Sequence, residues 1–244
     1  MSAQRTGWTT GTCAAAAAKA AASLLCRRQA LDSVDISLPG GQIARLHVAF
    51  VRATADGATA GVVKDAGDDP DVTHGATVAV SVRRQPDGDV TFFAGEGVGT
   101  VTKPGLQIPP GEPAVNPVPR RMIRDAIRQV TSDPVAVTIS IPGGQELAAQ
   151  TFNPRLGVAG GLSILGTTGI VRPRCAKALR DALACALDVA AACRVNAPVL
   201  APGNIGAKAA RARFALSPEQ LVEVSNEWGW ILDQVRPRGF SALL

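Results

Sequence analysis

The sequence predicts a mixed α/β (α+β) protein in two parts: an internally duplicated α+β domain of helix-hairpin repeats over residues 1–152, then a Rossmann-like β/α region over residues 153–244. Three observations predict it. The pattern Val34-Asp35-Ile36-Ser37-Leu38-Pro39-Gly40-Gly41-Gln42 returns as Val137-Thr138-Ile139-Ser140-Ile141-Pro142-Gly143-Gly144-Gln145, each copy after a helical stretch. Between the copies lie several short β-prone runs, the mark of an antiparallel or mixed sheet. After Phe152, short apolar runs alternate with longer helical ones, as in a parallel sheet wound with helices.

The first element is a cap followed by a helix. Thr9-Thr10-Gly11-Thr12 supplies polar caps, and the run Cys13 to Leu25 is mostly Ala, the strongest helix former. Val34 to Leu38 alternates apolar and polar residues, Pro39-Gly40-Gly41 is a turn, and Ile43 to Val51 resumes an extended pattern, together a hairpin. Thr59 to Lys64, Thr77 to Arg83 and Val90 to Ala94 read as further strands, the last two joined at Pro86-Asp87-Gly88. Gly95 to Pro119 is rich in Gly and Pro without periodicity, which in a compact domain marks a binding loop. Arg120 to Val130 reads as a helix, and the second Pro-Gly-Gly pattern as a second hairpin. Beyond Phe152 the expected order is strand Leu162 to Leu165, helix Arg174 to Cys193, strand Pro198 to Ala201, helix Ala207 to Phe214, strand Leu221 to Val224, helix Trp228 to Val235 and strand Phe240 to Leu244.

Composition narrows the function. A chain of 244 residues that is 46% hydrophobic and 18% charged is an ordinary globular protein. Its apolar runs break well before the ~18 residues a membrane span needs, and Met1 to Gly7 lacks a signal pattern, so the cytoplasm is expected, with no membrane partner. Five cysteines with no C-x-x-C pair, and only His47 and His74 beside them, give no zinc spacing; they read as reduced packing residues. Cys13, at a helix start, also admits a reactive thiolate, but no His is close in sequence. A net charge of +5 suits an anionic small molecule; the scattered basic residues and the lack of Tyr argue against nucleic acid.

Four groups of residues could carry chemistry. The segment Lys64 to Gly75 gathers Asp65, Asp68, Asp69, Asp71 and His74 between two strands. It reads as a hard-cation site, a solvated turn, or ligand-binding carboxylates with Lys64 and His74 as partners; its spacing is not that of an EF-hand. Gly95-Glu96-Gly97-Val98-Gly99 with Lys103 reads either as a flexible turn or as backbone N–H groups receiving an anion, without the ending of a P-loop. Asn116 to Arg121 puts Arg120 and Arg121 at a helix start, against the helix dipole, a conflict that an anionic ligand would repair. Finally, Gly166-Thr167-Thr168-Gly169, Gly203-Asn204 and Asn226 each follow an expected strand, and together would line one crevice at the carboxyl ends of a parallel sheet, although helix capping explains each singly.

Arg5 to Ala16, Lys64 to Gly75, Gly95 to Gly105, Asn116 to Met122, Phe152 to Gly157 and Gly166 to Val171 occur in an order along the chain that closely resembles the CbiD family of cobalt-precorrin-5B C1-methyltransferases. The resemblance implies transfer of a methyl group from S-adenosylmethionine to C-1 of a corrinoid, giving cobalt-precorrin-6A on the route to cobalamin, with cobalt present only as part of the substrate. It brings no agreed catalytic residues with it. Trp8 stands where the family usually has Phe, and Ile205 where it has Tyr. Members continue past Leu244 with a G-H-x-G-K-L motif and then T-H-S, so the β/α region is expected to be incomplete.

The residue chemistry fits that reaction. Lys64, Lys103, Asn116, Arg120, Arg121 and Arg155 are expected to meet the acidic arms of the macrocycle. Asp65, Asp68, Asp69, Gly166 to Gly169, Gly203, Asn204 and Asn226 are expected to receive the sulfonium donor, and Thr9, Thr10 and His74 to lie near the reacting carbon. A homo-oligomer is compatible with all of this. Two other functions compete: a non-catalytic tetrapyrrole carrier, and a divalent-metal hydrolase using the Asp-rich loop.

Overall fold

A computed structural model describes residues 4–173 and 175–243. The predicted helix start at Arg174 and strand end at Leu244 lie outside the described residues. The chain opens with the short strand β1 (Gly7–Trp8) and the helix α1 (Thr10–Arg27). The Thr9 hydroxyl accepts the Thr12 N–H, and Arg28 closes the helix in the left-handed region at φ 56°, its N–H bonded to Leu24 O. Every residue from Thr10 to Ser23 except Lys19 is buried. Alanine makes that burial workable, because methyl groups let neighbours approach the helix axis from several sides.

The hairpin β2 (Ser33–Ser37) and β3 (Ile43–His47) is antiparallel and turns where predicted, with Gly41 at φ 82°. The chain breaks at Val48-Ala49 and enters a second, five-stranded sheet through β4 (Phe50–Ala53), β5 (Gly57–Val63), β6 (Thr77–Arg84) and β7 (Val90–Ala94). Beyond the two-residue β8 (Thr100–Val101) and the helix α2 (Pro117–Arg128), the strand β9 (Val135–Ser140) completes it. The order is β4-β5-β6-β9-β7: β9 is inserted between the two strands joined at Gly88, antiparallel to β6 and parallel to β7. Ala58, Ala60 and Val62 on β5, Val78, Val80 and Val82 on β6, and Val135, Val137 and Ile139 on β9 fall on one face, and all are buried. With α1, α2 and the β2–β3 hairpin they form one core that extends to Ile164.

The repeat is one of sequence and not of structure. Its second copy supplies β9, but Gly143 at φ 73° leads into the short helix α3 (Gly144–Ala148), where the first copy has a second strand. Glu146, Leu147 and Ala148 favour helix, whereas Ile43-Ala44-Arg45-Leu46-His47 alternates as a half-buried strand. The expected duplication into two helix-hairpin units is therefore not formed.

The remaining elements are β10 (Val158–Ala159), which pairs with β8; β11 (Ile170–Val171), which pairs with β1; then α4 (Ala176–Ala192), β12 (Val199–Ala201), α5 (Gly203–Arg213), β13 (Leu221–Glu223) and α6 (Trp228–Val235). Among these later strands, parallel pairing is confined to β12 with β13, a single β-α-β unit with its own small cores. The strand expected at Leu162 to Leu165 reduces to isolated bridges, Val98 with Leu162 and Val115 with Ile164. No strand forms over Phe240 to Leu243; the N–H groups of Ser241 and Ala242 bond instead to Asn196 O.

Candidate functional site

Three stretches far apart in sequence meet at the first turn of α1. Trp8 N–H donates to Asp65 O (2.7 Å), Thr9 N–H to Gly169 O (3.2 Å) and Gly11 N–H to Leu165 O (2.9 Å). The Thr12 hydroxyl donates to Gly169 O at 2.7 Å, and the Thr10 hydroxyl accepts the Leu165 N–H at 2.9 Å. Thr9 and Thr10, expected beside the reacting carbon, are thus occupied in tying the helix start to the 165–169 loop. The loop has little room to shift: Gly166 sits at φ 140°, and a Cβ there would lie 2.2 Å from Thr9 Oγ1. Gly7 and Gly67 press backbone to backbone; a Cβ on Gly7 would lie 2.1 Å from Ala66 C.

The Asp-rich loop splits into a buried base and an exposed rim. Lys64 is 1% exposed, and its Nζ donates to Asp71 Oδ2 at 2.7 Å. Asp71 Oδ1 accepts both the N–H (2.8 Å) and the hydroxyl (2.6 Å) of Thr73. Burial pushes the Asp71 carboxyl up, but the Lys64 and Thr73 bonds outweigh it and hold the group below its ordinary range. Lys64 therefore cannot grip a substrate from this position, contrary to expectation. On the rim, Asp65 pairs with Arg5 and accepts the Gly67 N–H; those bonds hold its carboxyl below the usual range. Asp68 accepts the Arg5 N–H at 2.7 Å. His74 is exposed, and its Nδ1 accepts the Ala66 N–H at 3.1 Å. In the same loop, Asp69 N–H donates to Ala66 O at 3.4 Å. Since Asp65 turns to Arg5 and Asp71 to Lys64 and Thr73, the carboxylates do not converge as a hard-cation site requires.

Cys13 lies below this turn with no exposed surface, and burial pushes its thiol up to about 12. A thiol so placed stays protonated, so the reactive-thiolate reading fails. Cys13 is expected to resist iodoacetamide at about pH 8 in the native protein and to react only in denaturant. Peptide mass mapping checks this; rapid native labelling would contradict the burial.

The Gly95 to Pro119 segment is packed rather than open. Gly99 N–H donates to Leu162 O, Leu162 N–H to Gly97 O and Ile141 N–H to Glu96 O, so its backbone groups serve neighbouring loops and do not form an anion cradle. Arg120 is equally committed: it donates to Val115 O (2.8 Å) and Pro113 O (3.1 Å) and pairs with Glu112 at 2.7 Å. Asn116 opens α2 without a side-chain cap, and its N–H donates to Ile164 O. The side chain of Arg121 is exposed and makes no hydrogen bond or ion pair among the described residues. Lys103 Nζ pairs with Glu219 at 2.7 Å, and Arg155 Nη1 lies 2.7 Å from the buried Glu223 Oε1, close enough for an ion pair but off the line of a hydrogen bond. Both pairs run from segments that precede α4 to the β-α-β unit. Next to this seam is an open cavity of about 270 Å³, lined by Lys103, Gln145, Pro154 and Gly157 among others.

At the carboxyl ends of β12 and β13, Gly203 at φ 62° and the exposed Asn204 begin α5, and Ser225 at φ 56° turns the chain at the exposed Asn226. A Cβ on Gly203 would meet nothing within 4 Å, so this edge is open. The loop at Gly166, Thr167, Thr168 and Gly169 does not join it: its hydrogen bonds run to the start of α1 and within its own turn at Thr168. The expected three-loop crevice thus reduces to two loops, because Leu162 to Leu165 is not a strand of the parallel sheet.

The family model described as CbiD matches residues 1–173. The chain belongs to the CbiD family. A relative from Syntrophotalea carbinolica named cobalt-precorrin-5B C(1)-methyltransferase is 52% identical over 238 residues, covering 98% of this chain and 68% of the relative. A Bradyrhizobium sp. protein of the same name is 50% identical over 237 residues, covering 94% of this chain and 63% of the relative. The crystal structure of the cobalamin biosynthesis protein CbiD from Archaeoglobus fulgidus superposes with a TM-score of 0.57 at 29% identity, over 98% of this chain and 76% of that one. The chain thus spans about two thirds of the length of these curated relatives.

In this CbiD-family chain, sequence reasoning passed over Arg5, Thr12, Glu219 and Glu223, which make the bonds described above. Arg5 and Thr12 lie inside the Arg5 to Ala16 motif that carried the resemblance, and a polar residue beside a capping threonine was a usable signal. Nothing local marks Glu219 or Glu223. Their partners lie more than 60 residues away, and only the fold brings them together.

Proposed function

We propose that the chain carries the chemistry its relatives are named for: methylation of cobalt-precorrin-5B at C-1, with S-adenosylmethionine as donor, giving cobalt-precorrin-6A. The observation that carries this reading is half-identity to those methyltransferases over 98% of the chain, through both the α1 loop cluster and the β-α-β unit. The S–CH3 bond breaks as the C–CH3 bond forms, and the ring carbon itself supplies the electron pair. No enzyme nucleophile is needed, and the protein's work is in-line positioning. Buried threonines and a protonated Cys13 suit that requirement.

The donor sits at the open edge formed by Gly203, Asn204 and Asn226, where a helix start follows a parallel strand. The macrocycle lies against the rim at His74, Asp65 and Asp68, and Arg121, whose side chain has no partner among the described residues, is available to its acetate and propionate arms. Lys103 and Arg155 reach a ligand only by exchanging Glu219 and Glu223 for it.

Incubation with methyl-labelled S-adenosylmethionine and cobalt-precorrin-5B should move label into the corrinoid; tight corrinoid binding without transfer would support a carrier instead. The double substitution Asn204→Ala, Asn226→Ala should weaken S-adenosylhomocysteine binding about 10- to 100-fold in calorimetry, the loss of one or two good hydrogen bonds, with corrinoid binding retained. Unchanged affinity would remove the donor from this edge.

A further inference from the structure

His74 has one ring nitrogen already committed. Its Nδ1 accepts the Ala66 N–H at 3.1 Å, so a neutral ring must carry its proton on Nε2, and the exposed side chain offers that N–H outward. Among the described residues, Asp65 on the same rim faces it: Asp65 Oδ1 lies 3.9 Å from Nδ1 and is itself held by Arg5. A ring in this state has no free lone pair to accept a proton from a substrate, but it can donate a hydrogen bond to an oxygen.

The loop carrying His74 is fixed from below. Gly75 N–H donates to Lys64 O (2.8 Å), Lys64 N–H to Ala76 O (2.9 Å) and His74 N–H to Asp71 O (2.9 Å), while the buried Lys64 ammonium holds the Asp71 carboxylate. An ammonium with 1% exposure is a costly way to fill a core. An apolar side chain would pack as well, but it would not hold Asp71 and the backbone of residue 74 in place.

We propose that His74 acts as a tautomer-locked, neutral Nε2–H donor to a carboxylate oxygen of the substrate and not as a base, with the Lys64–Asp71 pair as its positioning element. The substrate half rests on the methyltransferase reading; the tautomer half does not.

Nitrogen NMR of the imidazoles in the substrate-free protein tests the lock first. There are two histidines, and His47→Asn assigns them. At about pH 8.5, above the ordinary imidazole range, His74 should show the Nε2–H form; an Nδ1–H form would overturn the proposal. Lys64→Met, or Asp71→Asn should the first variant not fold, is expected to give an average of both tautomers; an unchanged signature would remove the positioning role. In the methyl-transfer assay, His74→Gln keeps a donor near the Nε2 position and should hold turnover within about tenfold of wild type, while His74→Ala should lose about 100-fold. If Gln is as poor as Ala, His74 is a base and the donor role fails. If both variants turn over like wild type while the NMR signature stands, the lock is real but the substrate does not bind at this rim.

Discussion

Asp71→Ala is expected to cost about 3–5 kcal/mol of unfolding free energy, the range for removing one partner of a buried ion pair. The loss has two parts: the Lys64 ammonium, 1% exposed, is left without its carboxylate, and Thr73 loses its acceptor for both N–H and hydroxyl. Urea unfolding at pH 7 measures it, and a change below about 1 kcal/mol would mean that the ammonium finds water or another acceptor. The pH dependence has a definite sign. Asp71 is held below its ordinary range, so its contribution is fully present above the unfolded carboxyl value of about 4 and is lost as pH falls through the lower folded value. The gap between wild type and Asp71→Ala should therefore narrow in acid.

Gly97→Ala should be at least as severe, costing more than about 4 kcal/mol or preventing folding altogether. A Cβ at Gly97 would lie 1.9 Å from Ile141 O and 2.8 Å from Gly144 N, backbone atoms that cannot swing aside, and the residue also sits at φ 70°. Gly143→Ala is the control. That residue has nearly the same φ, 73°, but a Cβ there meets nothing within 4 Å, so it should cost only the left-handed strain of about 1–2 kcal/mol. Thermal or urea denaturation of the pair separates collision from conformational strain. Equal costs would show that the Gly95–Gly99 loop can retreat from the β9–α3 turn.

These two sites mark the limits of what sequence patterns revealed. The alanine helix with its threonine cap, the β2–β3 hairpin, the strands over residues 57–63, 77–84 and 90–94, and α6 all follow periodicity, because capping, alternation and turn chemistry act over a few residues. The insertion of β9 between β6 and β7 was not legible, since pairing order depends on which faces must be buried and not on adjacency. The second Pro-Gly-Gly turn misled because identical turn residues are followed by different sequences: Glu146, Leu147 and Ala148 favour helix where the first copy alternates as a strand, and Gly144 packs against Gly97 across the fold.

The candidate site was legible by membership and not by role. Residues 5–12, 64–75 and 166–169 were singled out from sequence and do meet at one place. What each side chain does there depended on burial: Lys64 turned inward, Thr9 and Thr10 became ties, and His74 remained outside. Charge alone could not separate Arg120, saturated by two carbonyls and Glu112, from Arg121 one residue later.

The alanine helix also bears on how the rim can move. Its buried surface between Cys13 and Ala22 is almost wholly methyl groups, which have no side-chain torsions to readjust. A push on the threonine turn cannot be absorbed by rotamer changes along this rod, so the turn, the helix and the Ala/Val face of the sheet should shift as one piece or not at all. Compliance then has to come from the seam crossed by Lys103–Glu219 and Arg155–Glu223, where side chains can let go and re-form.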